Sequence, residues 1–377
     1  MVGGGEGAFI GAVHRAAAAL DGEYALVCGA FASDAARSLR TGAALDLPAE
    51  RSYASYDAML AAEAALAADR RMEVVVIVTP NHLHLPVARA ALQRGFHVLS
   101  DKPATLNLAE CFELRNAVAA SGRLYGLTHA YSAYPLVVEA AERVRAGALG
   151  KIRKVIVEYT QGWLAEPIEK NGQKQALWRL DPERGGASGC MGDIGVHAFQ
   201  LAELVSALRT TQLCAELNRV VPGRKLDDDG TVLLRFDNGA TGTLIASQIC
   251  TGDENDLRLR VYGDAASLEW HQQEPNTLLL KPAHAPVQQL RTGGPGLGAA
   301  ALAHTRLPSG HPEGYLEAFA NLYRTFAAQV RAHAGGASPP HTVPGIDAAL
   351  RGMAFVDTVV AASASAQKWH KFPEVGT

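Results

Sequence analysis

The sequence predicts an α/β protein of two domains, in which a mostly parallel sheet is followed by an α+β domain with a large, mostly antiparallel open sheet. Three observations lead to this fold class. The chain has 377 residues, which is more than a single ordinary hydrophobic core accommodates. Residues 1–130 alternate short β-type runs with helical patterns, as parallel sheets do. Residues 131–344 contain many successive strand patterns, which are typical of an antiparallel sheet.

The strands of the first domain are short and largely apolar. We predict them at 25–30, 74–78, 97–100 and 124–128. The second of these runs is apolar at every position, which indicates a parallel strand buried on both faces. Helical patterns at 55–69, 84–94 and 107–121 separate the strands. This alternation predicts a doubly wound sheet.

A glycine cluster opens the chain and precedes a helical pattern that runs to residue 20. Glycines at such a place let the backbone approach a pyrophosphate at the helix N-terminus. The predicted contacts come from this segment: Gly3, Gly5, Gly7, Phe9 and Ile10. The spacing departs from the G-x-G-x-x-G fingerprint, because Gly11 arrives three residues late. Only Met1 and Val2 precede the glycines, so we expect the strand that feeds this loop to be vestigial.

The end of the second predicted strand bears on which dinucleotide binds. In such domains an acidic residue at this tip favours NAD, and an arginine favours NADP. We predict ribose contacts from Ser33 and Arg37, whereas Asp34 gives the opposite indication from Arg37. The alternative for Asp34 is a cap of the following helix. The residues therefore leave NAD and NADP both open, with NAD preferred.

The second domain begins with a strand pattern at 152–163. Further strands are predicted at 213–221, 231–236, 240–249, 257–262, 267–271, 277–281 and 287–290. Helical patterns at 135–146, 193–207 and 313–333 cover one face of the sheet. The stretch 334–344 is rich in Gly and Pro and reads as a loop. A helix at 345–366 is expected to return to the first domain.

Composition excludes several classes of protein. The net charge is −3 and the positive charges are scattered, so we expect no nucleic-acid partner. No apolar run approaches the roughly 18–20 residues of a membrane span, and no secretory signal opens the chain. The five cysteines lie far apart without a C-x-x-C pair, which predicts a reduced, cytoplasmic protein without a zinc site. Cys190 lies close to the candidate chemistry and is expected to be a packing residue.

Three side chains are candidates for catalysis. Lys102 follows a predicted strand and precedes a proline, so it is extended and lies at the carboxyl end of a parallel sheet. Asp193 and His197 stand four residues apart on one predicted helix face, among glycines that leave room for a ligand. The alternatives are a surface lysine, a helix N-cap and a core histidine. A metal site is not expected, because no third ligand is spaced to join the pair.

Aromatic and polar residues cluster on both sides of the helix that bears Asp193. Aromatic faces stack on sugar C–H surfaces, and amide or guanidinium groups bind hydroxyls. The predicted substrate contacts are Tyr131, Trp163, Gln175, Trp178, Arg179 and His311. The alternative is that the two tryptophans anchor a long loop.

Two motifs carry a resemblance to a known family. Thr79-Pro80-Asn81-x-x-His84 is followed by Asp101-Lys102-Pro103, and Asp193, Gly195 and His197 match D-x-G-x-H. The chain thus resembles, over essentially its whole length, the glucose–fructose oxidoreductase, inositol dehydrogenase and rhizopine catabolism (Gfo/Idh/MocA) family. It departs from the family in its longer glycine loop and in Asp101, where glutamate is usual.

The resemblance implies an N-terminal Rossmann domain that binds NAD(P) and a C-terminal domain that binds substrate. It also implies that the open sheet of the second domain forms the substrate floor and often an oligomer interface, so we expect a homodimer or homotetramer. The motif residues implied to contact the cofactor are Thr79, Pro80, Asn81, His84, Asp101, Lys102 and Pro103.

We therefore predict an NAD(P)-dependent oxidoreductase that acts on a secondary alcohol of a sugar, polyol or glycoside. Lys102 would exchange the hydroxyl proton with help from His197, and Asp193 would orient the imidazole or a substrate hydroxyl. One alternative is redox-assisted glycoside cleavage, in which oxidation, elimination and re-reduction leave the cofactor unchanged. Another is a non-catalytic sensor that binds a sugar or nucleotide.

Overall fold

The computed structural model describes residues 1–337, 339 and 341–376. These residues form two compact units. The first unit contains Met1–Thr128, Phe319–Leu350 and Gly376, and the second contains His129–Ala318 and Arg351–Val375. Within the described ranges, no helix combines the length and apolarity that crossing a bilayer requires.

The first unit is built on a parallel sheet of four strands in the order β1-β2-β3-β4. The strands are β1 (Val2–Gly3), β2 (Val74–Val78), β3 (His97–Ser100) and β4 (Tyr125–Leu127). The helices between them are α1 (Phe9–Leu20), α2 (Ala35–Ala44), α3 (Tyr56–Ala64), α4 (His84–Gln93) and α5 (Leu108–Ser121). β2 and β3 begin and end where the sequence predicts, because their continuous apolar runs are buried on both faces. The predicted doubly wound fold is confirmed.

The predicted strand at 25–30 does not form as a continuous strand. The structure has isolated bridges there, which join Ala30 to Val2 and Gly29 to Ser52. Backbone bonds nevertheless join this segment to the start of the chain: Met1 N donates to Cys28 O at 2.9 Å, Ala30 N donates to Met1 O at 3.0 Å, and Gly3 N donates to Ala30 O at 2.9 Å. Residues 28–30 are thus paired, whereas a continuous strand over 25–30 does not form.

The second unit is built on a sheet of nine strands. They are β5 (Ile152–Thr160), β6 (Thr210–Asn218), β7 (Asp229–Phe236), β8 (Thr241–Ser247), β9 (Asp256–Gly263), β10 (Ala266–His271), β11 (Thr277–Pro282), β12 (Gln288–Arg291) and β13 (His370–Lys371). Their order is β12-β11-β10-β9-β5-β8-β7-β6-β13, and β5 with β8 is the parallel pair among them. The predicted large, mostly antiparallel sheet is confirmed.

Two helices pack against the nine-stranded sheet, α6 (Pro135–Arg145) and α9 (Val196–Ser206), and α10 (Ala299–Ala303) packs on α6. The unit also contains two short helices that contact each other, α7 (Lys174–Arg179) and α8 (Pro182–Gly185). Alternate residues of β5, such as Val155 and Val157, are fully buried on the α9 side. This period of two is the pattern of a sheet with one covered face.

The last two helices divide between the units. α11 (Tyr315–Ala334) belongs to the first unit from Phe319 onward, and α12 (Ile346–Ser363) belongs to the second unit from Arg351 onward. In α12, Phe355 stacks on Phe199 with ring centroids 4.4 Å apart, and Arg351 Nε donates to Glu203 at 2.8 Å.

The expectation that the helix at 345–366 returns to the first domain stays a prediction, because α12 divides at Arg351 between the two units. An amphipathic pattern identifies an apolar face, but it does not identify the surface that this face covers. The predicted domain bounds, 1–130 and 131–344, also stay a prediction. Of the loop predicted at 334–344, Ser338 and Pro340 lie outside the described residues.

Candidate active site

The glycine loop of the first unit forms a tight cradle against α1. Gly3, Gly4 and Gly7 have φ of +81°, +70° and +75°, which favour glycine. A Cβ on Gly11 would lie 2.3 Å from Gly4 O, so the late glycine is the one that lets α1 approach the loop. α1 begins after Ala8 without a side-chain cap and without an acidic residue in its first turn. This cradle fits a pyrophosphate held by backbone N–H groups.

One residue in the region of the predicted ribose contacts has a structural role. Asp34 Oδ1 accepts a hydrogen bond from Arg37 N at 2.7 Å and so caps α2. Asp34 therefore acts as the helix cap that the sequence analysis gave as the alternative to a ribose contact. Ser33 is exposed and Arg37 is half-buried. Their contact with a ribose stays a prediction.

His84 connects the two motif loops of the first unit. Its Nδ1 lies 2.6 Å from Pro103 O, and its Nε2 lies 3.0 Å from Thr79 O. The ring is 1% exposed, and burial lowers its pKa, against the opposing effect of the two carbonyl groups. His84, predicted as a cofactor contact, thus has both ring nitrogens turned to backbone carbonyls. It joins the segment after β2 to the segment after β3.

Lys102 lies where the sequence predicts, immediately after β3 at the carboxyl edge of the parallel sheet. The neighbouring Asp101 Oδ1 accepts hydrogen bonds from Lys102 N at 3.0 Å and from Thr128 Oγ1 at 2.9 Å. Asp101 N in turn donates to Ile77 O at 2.9 Å. The carboxylate of Asp101, which is one methylene shorter than the usual glutamate, therefore holds the backbone of Lys102. The lysine itself is half-buried.

In the second unit, Asp193 lies in a π-helical turn (Met191–Gly195) that leads directly into α9 and His197. Such turns occur frequently at functional sites. The buried carboxylate of Asp227 holds the segment before it. Asp227 accepts hydrogen bonds from Ser188 Oγ at 2.8 Å, Gly189 N at 2.8 Å and Met191 N at 2.9 Å. Burial raises the pKa of Asp227 despite these bonds.

Three of the predicted substrate residues form one cluster on α7 beside Asp193. Gln175 Oε1 accepts hydrogen bonds from Trp178 Nε1 at 3.2 Å and from Arg179 Nη1 at 2.5 Å. The Arg179 guanidinium lies 4.3 Å from the Trp178 ring, and its Nε is 3.4 Å from Asp193 Oδ1. The structure thus brings Gln175, Trp178 and Arg179 together at the carboxylate.

His197 is surrounded by aromatic side chains and by a second histidine. Its Nδ1 lies 3.3 Å from Nδ1 of His129. The Tyr131 ring meets it edge-on at 4.9 Å, and Tyr159 lies at 6.4 Å. Burial raises the pKa of both tyrosines above the usual value, so the phenols stay protonated.

The two tyrosines belong to a closed ring of hydrogen bonds. Tyr159 OH donates to Asn255 Oδ1 at 2.7 Å, and Asn255 Nδ2 donates to Tyr131 OH at 2.9 Å. The two hydroxyl oxygens lie 2.5 Å apart, so Tyr131 donates to Tyr159 and completes the ring. Each hydroxyl then donates once within the ring and accepts once within it, an arrangement that strengthens all three bonds. Tyr159 OH also accepts a long hydrogen bond from Gln161 Nε2 at 3.5 Å.

A chain of amides links this ring to Asp193. Gln248 Nε2 donates to Asp193 Oδ2 at 2.9 Å and to Gln161 Oε1 at 3.4 Å. Gln161 Oε1 also accepts from Trp163 Nε1 at 2.9 Å, and its Nε2 donates to Asn255 at 2.5 Å. The indole is only a donor and the ionised carboxylate only an acceptor, so these two groups set the orientation of every amide between them.

Sequence reasoning missed five members of this cluster: His129, Tyr159, Gln161, Gln248 and Asn255. Three of these residues, Gln161, Gln248 and Asn255, lie next to the ends of predicted strands, which could have indicated a shared site. β5 and β8 are parallel and β9 is antiparallel to β5, so the ends of the first two and the start of the third meet at one sheet edge. Strand patterns alone do not reveal which strands are neighbours.

Comparisons with known proteins agree with this architecture. Residues 1–129 match the oxidoreductase family with an NAD-binding Rossmann fold, and residues 137–269 match the GFO/IDH/MocA C-terminal domain. The uncharacterized oxidoreductase YfiI of Bacillus subtilis (strain 168) is 32% identical over 99% of this chain and 96% of its own length. The chain belongs to the Gfo/Idh/MocA family. It is an NAD-binding oxidoreductase, as the sequence predicts.

Two further relatives are known with a bound ligand or by the substrate in their name. An inositol dehydrogenase homolog from Azotobacter vinelandii, complexed with NAD+, is 34% identical with a TM-score of 0.94, covering 99% of this chain and 96% of that one. The same homolog with NADH and myo-inositol gives a TM-score of 0.90 at 33% identity, over 99% and 96% of the two chains. The levoglucosan dehydrogenase of Pseudarthrobacter phenanthrenivorans is 25% identical over 81% of this chain and 82% of its own.

Two further residues that the sequence analysis considered lie apart from the cluster around Asp193 and His197. His311 is exposed, and its Nδ1 lies 3.2 Å from Pro308 O, whereas the nearby Tyr315 ring lies 6.1 Å from Tyr131. Cys190 is buried, which raises the pKa of its thiol well above the usual value, so it packs as expected. Among the described residues, no group of three potential ligands could hold a metal ion.

Proposed function

We propose that the protein oxidises a secondary alcohol of an uncharged sugar or polyol and passes the hydride to NAD. The observation that carries this proposal is the continuous set of amide, phenol and indole groups that connects Asp193 to Tyr131. A polyhydroxylated ligand needs many donors and acceptors without net charge. The charged pair on this path, Arg179 and Asp193, lies 3.4 Å apart and is mutually compensated.

The reaction requires that a carbinol loses both a hydride and a proton. NAD accepts the hydride when it is bound. Lys102 exchanges the hydroxyl proton, His197 assists it, and Asp193 orients the imidazole or a neighbouring substrate hydroxyl. The cradle formed by Gly4 and Gly11 supports pyrophosphate binding at the start of α1, because it leaves no space for side chains.

Two of the relatives support the same class of substrate. One is a structure with myo-inositol, and another is named as a levoglucosan dehydrogenase. Both ligands are polyhydroxylated and carry no charge, as the amide and phenol groups of this chain require.

We also propose that the chain forms a homodimer or homotetramer through the nine-stranded sheet. The face opposite α9 carries partly apolar residues, and Leu233 on β7 is 40% exposed. A cytoplasmic location stays a prediction, with which the five free cysteines agree.

The test measures NADH formation by the purified protein with NAD+ and a panel of neutral polyols and anhydrosugars. The matched control is the phosphate ester of each reactive compound. Steady NADH formation with the neutral member and a much slower reaction with its ester support the proposal. Reaction with phosphate esters alone contradicts it, and release of an aglycone without NADH identifies the glycoside-cleaving alternative.

A further inference from the structure

His129 is a second histidine beside the candidate catalytic His197. It is fully buried and begins the segment after β4, where a short turn (Ala130–Ala133) follows. The turn holds its backbone, because Ser132 N and Oγ donate to His129 O at 3.0 and 2.7 Å. The backbone of His129 is therefore held by local structure.

The two imidazoles meet through atoms of the same kind. Nδ1 of His129 and Nδ1 of His197 lie 3.3 Å apart, and the rings are nearly perpendicular at 85°. A hydrogen bond between two ring nitrogens needs one N–H and one lone pair. The tautomer of one histidine therefore determines the tautomer of the other. If His197 donates through Nδ1, its Nε2 keeps a lone pair.

We propose that His129 is a positioning residue that accepts a hydrogen bond from His197 Nδ1 and so keeps Nε2 of His197 as a proton acceptor. This inference rests on the proposed function. In the oxidation, the substrate O–H bond breaks as the C–H hydride leaves, and the carbonyl forms. Lys102 exchanges the hydroxyl proton in the proposed function, and His197 can assist by taking that proton onward only if its Nε2 carries a lone pair. The opposite tautomer would present an N–H instead.

The pair also accommodates the proton after transfer. When Nε2 of His197 takes the proton, the ring becomes a cation whose Nδ1–H still points at the lone pair of His129. Hydrogen bonds from a charged donor are roughly twice as strong as neutral ones. His129 therefore stabilises the protonated form of His197 and touches no substrate itself.

Three titratable side chains on neighbouring segments bear on the pair. Tyr131 from the turn and Tyr159 from β5 pack against His197, and Asp193 stands in the π-helical turn before it. The tyrosines remain neutral because burial raises the pKa of each.

Two substitutions at His129 distinguish a role as hydrogen-bond acceptor from a role in packing alone. His129→Asn places an amide oxygen near the position of Nδ1, whereas His129→Leu has similar bulk and no acceptor. We expect His129→Leu to lower kcat by about 10- to 100-fold, less than the full worth of proton transfer, with little change in either KM. His129→Asn should keep kcat within about threefold of wild type. The matched controls are the same substitutions at His284, which is exposed.

Equal loss of kcat in both His129 variants at unchanged melting temperature would overturn the assignment of an acceptor. Nitrogen NMR of labelled histidine gives a readout that does not depend on turnover. We expect His197, identified by the signals lost in His197→Gln, to show a protonated Nδ1 and an unprotonated Nε2. The reverse tautomer would overturn the inference. If the tautomer is as expected but no polyol yields NADH, the proposed function fails and not the hydrogen bond.

Discussion

Replacing His14 by asparagine is expected to make the first unit less sensitive to acid. His14 lies on α1 and is fully buried; its Nδ1 is 2.7 Å from the Tyr323 hydroxyl, and its ring is 4.7 Å from that of Phe319. Burial lowers its pKa from 6.5 to about 4, against a smaller opposing effect of Asp101. The folded chain thus binds the proton of His14 only at a much lower pH than the unfolded chain does.

The sign of the effect follows from proton linkage. Between the two pKa values the unfolded state binds more protons, so the free energy of unfolding falls as the pH falls. The stability contribution of neutral His14 is complete above the unfolded value of 6.5 and is lost as the pH approaches about 4. The full difference corresponds to about 3 kcal/mol, of which about 2 kcal/mol is lost by about pH 5.

His14→Asn keeps a polar atom near Nδ1 for the Tyr323 hydroxyl and cannot be protonated in this range. The four tryptophans lie in the second unit, so their fluorescence does not report on the first. The assay is therefore hydrogen exchange of α1 at neutral pH and at about pH 5, corrected for intrinsic exchange at each pH. We expect wild type to lose about 2 kcal/mol more protection than the variant on acidification.

His284→Asn serves as the control, because this exposed histidine should leave the pH dependence of α1 unchanged. An acid sensitivity in His14→Asn equal to that of wild type would refute the reasoning. It would mean that carboxylates, or His97 with its pKa also lowered to about 4 by burial, account for the whole effect.

Three further predictions concern the candidate site. Lys102→Ala should leave NAD binding nearly intact and lower turnover by roughly 10²–10⁴-fold, measured by equilibrium binding and kcat; turnover equal to wild type would contradict the role of the lysine. Gly11→Ala places a Cβ 2.3 Å from Gly4 O and should weaken NAD binding at least about tenfold in calorimetry, whereas Gly335→Ala, which has more space, should not. His84→Leu removes the one ring N–H that a neutral imidazole can donate to the carbonyl of Pro103 or Thr79. It should lower the unfolding free energy by about 1–3 kcal/mol in urea titrations, and an unchanged midpoint would show that these contacts contribute nothing.

Elements with strong local patterns were predictable from the sequence. β2 and β3 were placed to the residue, because a continuous apolar run can be satisfied only by burial on both faces. Lys102 was placed at the carboxyl edge of the sheet for the same reason. The prediction of a continuous strand at 25–30 is wrong, because pairing there depends on which distant segments lie beside it, and the structure forms only isolated bridges in the described residues.

The sequence by itself determined the two-domain α/β class, the glycine cradle and the positions of Lys102, Asp193 and His197 along the chain. Tertiary structure alone decided that α12 packs on Phe199, that His84 turns to two carbonyls, and that His129 meets His197. The reason is physical: burial patterns and turn residues act over a few neighbours, so they can be read locally. Hydrogen bonds between strand ends depend on sheet order and register, which arise only when distant segments pack together.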